Sequence, residues 1–128
     1  MKHKYLEEIG FDPLYETKHD KLNKKWAKER KKYGFDSRET WNMDITFLAW
    51  LYEHLRMYQD VNIVDLTFNK FDYNGEIINL EDAINKILEN IKLVFKNETS
   101  CFLGDEKIIA AENEIMDLFH MIWKYLWW

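Results

Sequence analysis

The apolar positions of this chain fall into four stretches with helical spacing, and the run between the second and third has a different character. In the first stretch Tyr15, Leu22, Trp26 and Tyr33 recur at roughly heptad spacing and form one narrow seam. Asp12-Pro13 ahead of them reads as an N-cap followed by proline at the first helical position, where its missing N–H is no loss. Gly34 reads as the C-terminal stop. A long first helix is predicted between these signals.

Asp36 and Glu39 have the spacing of a capping box for a second helix reaching about Tyr58, with Asn42 as a competing start. At about 100° per residue, Asn42, Thr46, Ala49, Glu53, Arg56 and Asp60 fall on one narrow stripe. Trp41, Ile45, Leu48, Leu51, Tyr52, Leu55 and Tyr58 cover the opposite side, and Met43, Phe47, Trp50 and Met57 widen it. The resulting apolar arc is roughly twice the ~100° that a surface helix needs. Such a helix is central, packed on several sides, or shared with another subunit.

From Asp60 to Leu80 the period changes. Ile63 to Phe68 alternates as a strand does, and Phe71 to Ile78 contains Asn74-Gly75, the signature of a type I′ turn. A small hairpin is predicted here, too small to make the core. Asn79 with Asp82 then caps a third helix, whose Leu80, Ile84, Ile87, Ile91 and Val94 lie one above another. After a loop from Asn97 to Gly104, Asp105 opens a last helix with Ile108, Ile115, Phe119, Ile122 and Leu126 on one face. The fold class expected is mainly α, a single domain holding a bundle of about four long helices with the hairpin between the second and third.

Composition narrows the classes. The 128 residues suit one domain with a real core, and 47% hydrophobic and 16% aromatic residues exclude a disordered linker. The single Cys101 excludes an internal disulfide framework and sits in a loop with no helix signal to activate its thiol. Ile45 to Tyr52 is far shorter than a bilayer span, and the N-terminus lacks the apolar centre of a signal peptide. A cytoplasmic location without membrane contact is expected.

The net charge of −5 is unevenly spread: residues 18–32 carry eight Lys and Arg against Asp20 and Glu29, a local +6 that leaves −11 for the rest. Lys24, Lys25, Lys28, Lys31 and Lys32 are therefore candidate partner-binding residues, for nucleic acid or protein, against the plainer reading of a solvated or intramolecularly paired face. Aromatics that stack bases stand exposed beside such cations, whereas Trp26 and Tyr33 lie on the seam expected to pack inward.

The order Glu39-Thr40-Trp41-Asn42-Met43-Asp44, then Trp50-Leu51, then Ala83-Ile84-Asn85-Lys86-Ile87-Leu88, then Asp117-Leu118-Phe119 with Trp123 resembles a group of small hypothetical proteins encoded by tailed bacteriophages and prophages. That group has an ETWxLD start, a tryptophan-leucine pair, a middle helix like EILDKMI and a closing LDLF…LW helix. The resemblance spans roughly Tyr33 to Trp127 and leaves out the basic helix. It departs at Glu53-His54-Leu55-Arg56, where the group often has proline-arginine-leucine, and in the inserted hairpin. It implies a phage-encoded accessory protein in the bacterial host and transfers no catalytic residue.

Candidate chemistry is sparse. Asp44 is a carboxylate among apolar neighbours. In the first turn of a helix starting at Asn42 it complements the dipole, and only a longer helix would bury it as a ligand or catalytic group. His54 and Arg56 are further polar candidates. Asp117 and His120 form one acid-x-x-His pair, whereas a di-metal bundle site requires two such pairs and two more carboxylates. No phosphate-binding glycine loop, nucleophile elbow or HExxH motif occurs. The expected function is thus non-catalytic binding, with no cofactor or metal, that modulates or antagonises a host protein or defence system. The alternatives are a nucleotide- or nucleic-acid-binding module using the basic helix, and a small metal-dependent hydrolase using Asp44, His54, Asp117 and His120. The overwide arc and the terminal Trp127 and Trp128, too large to be left idle in water, lead to the expectation of a homodimer with Tyr125–Trp128 in the interface.

Overall fold

A computed structural model describes residues 4–96 and 105–128; Cys101 and the rest of residues 97–104, where a loop is expected, lie outside the described residues. The protein is mainly helical. In chain order it has α1 (Asp20–Tyr33), α2 (Met43–Val61), the strands β1 (Lys70–Tyr73) and β2 (Glu76–Asn79), α3 (Leu80–Lys96) and α4 (Glu106–Ile122). Four helices with a hairpin between the second and third is the architecture the apolar pattern predicts.

The core is built by α2, α3 and α4. Leu48, Leu51, Tyr52 and Leu55 of α2 meet the α3 ladder of Leu80, Ile84, Ile87, Ile91 and Val94, and Ile108, Ile115, Leu118 and Ile122 of α4 close it. Each such side chain contributes about 1.5–3 kcal/mol of transfer free energy when fully buried. Both later helices start where expected. Asn79 and Asp82 bond each other's backbone N–H groups at 2.7 and 3.2 Å, and Asp105 Oδ1 accepts from the N–H groups of Lys107 and Ile108.

The hairpin pairs antiparallel with Phe71 opposite Ile78 and Tyr73 opposite Glu76. Asn74 (φ 53°) and Gly75 (φ 82°) take the positive angles a type I′ turn demands. Ile78 enters the core, and Tyr73 Oη donates to Glu114 Oε2 of α4 at 3.1 Å. The expected strand over Ile63–Phe68 does not form. Asp65 Oδ1 turns back to accept the N–H and hydroxyl of Thr67, and the Leu66 carbonyl accepts from Glu81 N–H at the head of α3, so the backbone groups a ladder needs are used elsewhere.

The beginning of α1 differs from expectation. Asp12 Oδ1 accepts the Leu14 N–H at 2.8 Å and closes a local turn instead of capping a helix. Asn23 then exchanges two bonds with the Thr17 backbone, at 2.9 and 3.1 Å, which fixes the helix start near Asp20. Tyr15 therefore lies outside α1, and Leu22 and Tyr33 are exposed, so the predicted seam reduces to one buried anchor, Trp26. The C-terminal stop is as expected, with Gly34 at φ 86° and its N–H bonded to the Arg30 carbonyl at 2.8 Å.

The second capping box also forms, but it caps a short 3₁₀ turn, Ser37–Thr40, and the chain leaves helical geometry at Asn42 before α2 begins. Trp26 is enclosed by this turn. The Arg38 guanidinium lies 4.6 Å from its ring, and Tyr15 and Trp41 pack at 6.0 and 6.2 Å. No described residue of α1 belongs to the central core, so α1 is held by a satellite cluster of its own.

Candidate functional site

Turning α1 about its axis at about 100° per residue puts Lys21, Lys24, Lys25, Lys28, Lys31 and Lys32 on one side, opposite Trp26. All six are exposed. Among the described residues none of them forms an ion pair; Lys32 lies over the Tyr33 ring at 5.1 Å. Arg30 on the inner side of α1 and Arg38 in the 3₁₀ turn behave differently. Arg30 reaches Glu39 at 2.8 Å and Asp36 at 3.3 Å, and Arg38 clasps Asp36 at 2.7 and 2.9 Å. The acidic body thus neutralises the two arginines and leaves the lysines to solvent.

The apolar arc of α2 is divided in two. One side enters the core, and the other presents Met43, Phe47, Trp50, His54, Met57 and Val61, of which only Phe47 is half-buried and the rest exposed. His54 stacks on Trp50 at 4.1 Å, and its Nδ1 donates to the Trp50 carbonyl at 2.6 Å. The C-terminal half of this strip floors a groove of about 610 Å³ bordered by Lys4, Tyr5, Glu53, Tyr58 and Trp128. Beyond Trp50 and His54 a second hollow of about 250 Å³ is lined by Phe119, Trp123 and Leu126. The terminal tryptophans fold back against this protomer. Tyr58 Oη donates to the Trp127 carbonyl at 3.0 Å, Trp127 lines a hollow beside Phe68 and Leu80, and Tyr125 packs edge-on to Phe71 at 5.0 Å. Both indoles remain more than half exposed.

A polar latch ties the N-terminal segment to α2. Arg56 meets Glu8 through two bonds of 3.0 and 3.2 Å, Tyr52 Oη donates to Glu8 at 2.6 Å, and Tyr5 Oη donates to Asp60 at 2.5 Å. Arg56, a polar candidate in the sequence as ligand or structural residue, is thereby paired with Glu8. Its bond to Glu8 holds the Glu8 carboxyl below its ordinary 4.5, against the upward push of burial, with the Tyr52 hydroxyl adding to the effect. Burial and the same Glu8 bond push the Tyr52 phenol far up. A carboxyl lowered in the folded state contributes stability above its unfolded value and loses it as pH falls through the folded one. The latch is expected to loosen as pH falls below about 4.5 and through the lowered Glu8 value, read as enhanced proteolysis near residues 4–10, and Glu8→Gln should abolish that pH dependence. An unchanged dependence in Glu8→Gln would assign it elsewhere. Nothing local in the sequence marks Tyr5 and Glu8 as partners of residues about fifty positions away.

The remaining candidates are dispersed. Asp44 is exposed in the first turn of α2, on the edge of a small hollow shared with Glu112 of α4. Burial and then the Asp44 charge push the Glu112 carboxyl up. Asp117 and His120 are exposed on α4. Among the described residues no group of three or more His, Cys, Asp or Glu side chains is close enough to share a metal ion. The hydrolase set Asp44, His54, Asp117 and His120 is therefore not assembled. No helix among those residues is long and apolar enough to cross a membrane.

No protein-family model, curated protein or solved structure matches this chain. The functional reading accordingly rests on the two surfaces, the lysine side of α1 and the outer strip of α2.

Proposed function

We propose that this protein is a phage-encoded accessory protein that acts by non-catalytic binding, with the lysine side of α1 docking on an acidic surface of a host protein that it modulates or antagonises in the bacterial cytoplasm. The observation that carries this reading is the contrast within α1. Its inner side is anchored through Trp26 and Arg30, which Asp36 and Glu39 neutralise, while its six lysines are exposed and form no ion pair among the described residues. A helix that adds nothing to the central core, yet concentrates the positive charge of an acidic protein, serves recognition better than stability. The resemblance to phage proteins supplies the host context and the prospect of a defence system as target.

Nucleic acid is the second reading, favoured by the same row of cations. Tyr33, expected to pack inward, is exposed beside Lys32 and so also suits it. Against it, Trp26 is buried and cannot stack on bases, and the −11 remainder repels a long polyanion.

Replacing Lys24, Lys25, Lys28, Lys31 and Lys32 together with Gln is the test. Stability should change by only about 0.5 kcal/mol per site or less. A host protein cross-linked by the wild type and lost in the Gln variant is the expected result, and identical capture by both would overturn the role of α1. Retention of the wild type on DNA or RNA, with a steep salt slope that the variant lacks, would move the assignment to nucleic acid.

A further inference from the structure

The outer strip of α2 has a regularity that scattered surface residues lack. Met43, Phe47, Trp50, His54, Met57 and Val61 alternate steps of four and three, the spacing of a two-stranded coiled-coil seam. Phe47 packs half-buried on the core, edge-on to Phe119 at 6.2 Å. The other five, Met43, Trp50, His54, Met57 and Val61, are exposed on the side away from Leu48, Tyr52 and Leu55, and core packing does not account for them.

We infer that this seam pairs antiparallel with the same seam of a second copy of this chain, about a two-fold axis near Tyr52 and Glu53. The N-terminal half presents Met43 and Trp50, 66 and 46% exposed, and the C-terminal half, His54, Met57 and Val61, floors the groove of about 610 Å³. A two-fold operation sets the exposed Met43 and Trp50 of each copy over the groove of the other. Met43 then meets Val61 of the second copy, Phe47 meets its Met57, and Trp50 meets its His54. Each contact occurs twice, as an isologous interface requires. A parallel pairing would set groove over groove, with Trp50 against its own copy.

The area available is sufficient. Met43, Trp50, Met57, Val61, Trp123 and Trp128 are 66, 46, 54, 45, 53 and 61% exposed. At about 200 Å² for a large side chain they offer about 600 Å² per protomer, most of the ~800 Å² that a stable interface buries on each partner. The rim contacts that accompany a paired helix supply the remainder. The pairing carries one cost, since the two Glu53 carboxylates approach each other beside the axis. This interface is separate from α1, so it stands or falls independently of the lysine surface.

Light scattering of the full chain should give twice the 15.7 kDa protomer mass. Trp50→Arg should weaken association about 30-fold or more, as loss of a central aromatic anchor does, with unchanged circular dichroism because the site is exposed. In a Cys101→Ser background, Glu53→Cys should cross-link to its own copy. Thr46→Cys should not, because antiparallel pairing holds those positions about 20 Å apart. A protomer mass at high micromolar concentration, or a Thr46→Cys dimer without a Glu53→Cys dimer, would overturn the inference.

Discussion

Asp36→Ala is expected to detach α1 from the protein while leaving the core folded, at a local cost of about 3 kcal/mol. The Asp36 side chain is fully buried, and it is satisfied by the Arg38 backbone N–H at 3.0 Å, the Arg38 guanidinium at 2.9 and 2.7 Å, and Arg30 at 3.3 Å. Removing the carboxylate leaves the nearly buried Arg38 guanidinium without its counter-charge, facing an Arg30 that Glu39 alone then neutralises. Arg38 is also the lid over Trp26, so the anchor of α1 loosens with it. The effect stays local because no described α1 residue reaches the central core. Hydrogen exchange should show α1 amides losing protection while those of α3 and α4 keep theirs. Equal loss in α3 and α4 would mean that α1 is integral to the cooperative unit. Acid should act the same way. Burial alone would raise the Asp36 carboxyl, but the arginine and backbone bonds outweigh it and hold the group below its ordinary 3.8. The docking of α1 is therefore complete at neutral pH and is lost as pH falls through that lowered value.

Ile87→Ala is expected to have the opposite distribution: a cost of about 3 kcal/mol felt by the whole protein, and a melting temperature lower by roughly 10 °C. Ile87 is fully buried at the middle of the α3 ladder, between Ile84 and Ile91 and within the cluster that α2 and α4 complete. Three deleted carbon atoms leave a cavity that neighbours on rigid helices cannot fill, so the lost transfer energy and the void add. Thermal or urea unfolding by circular dichroism measures this. If Asp36→Ala lowers the global midpoint as far as Ile87→Ala does, the division into a core and a satellite α1 is wrong.

The legibility of the chain varied with how local its information was. α3 and α4 could be read from the letters because the Leu80–Val94 ladder repeats the helical period and the caps at Asn79, Asp82 and Asp105 lie within three residues of the N–H groups they bind. Asn74-Gly75 announced its turn for the same reason. The errors share a cause as well. Asp12-Pro13 and Asp36/Glu39 are genuine capping chemistry, yet one closes a turn of a few residues and the other a 3₁₀ turn. A cap states that N–H groups are satisfied, not how long the helix after it will be. Ile63–Phe68 alternates like a strand, but its backbone partners were taken by Thr67 and Glu81.

Among the candidate site residues, the exposure of the lysine row was legible because so many cations on one helix cannot all be buried. The separation of Asp44, His54, Asp117 and His120 was not, since it depends on how α2 and α4 are rotated against each other. By itself the sequence determined the helical class, the hairpin turn, the α3 ladder and the concentration of positive charge in residues 18–32, all properties of residues within a few turns of one another. Only the tertiary structure decided that α1 stands outside the core, that Arg56 belongs to Glu8, and that the wide apolar arc of α2 is two faces instead of one. Those outcomes depend on which distant surfaces meet, and periodicity specifies that a face is apolar without naming what will cover it.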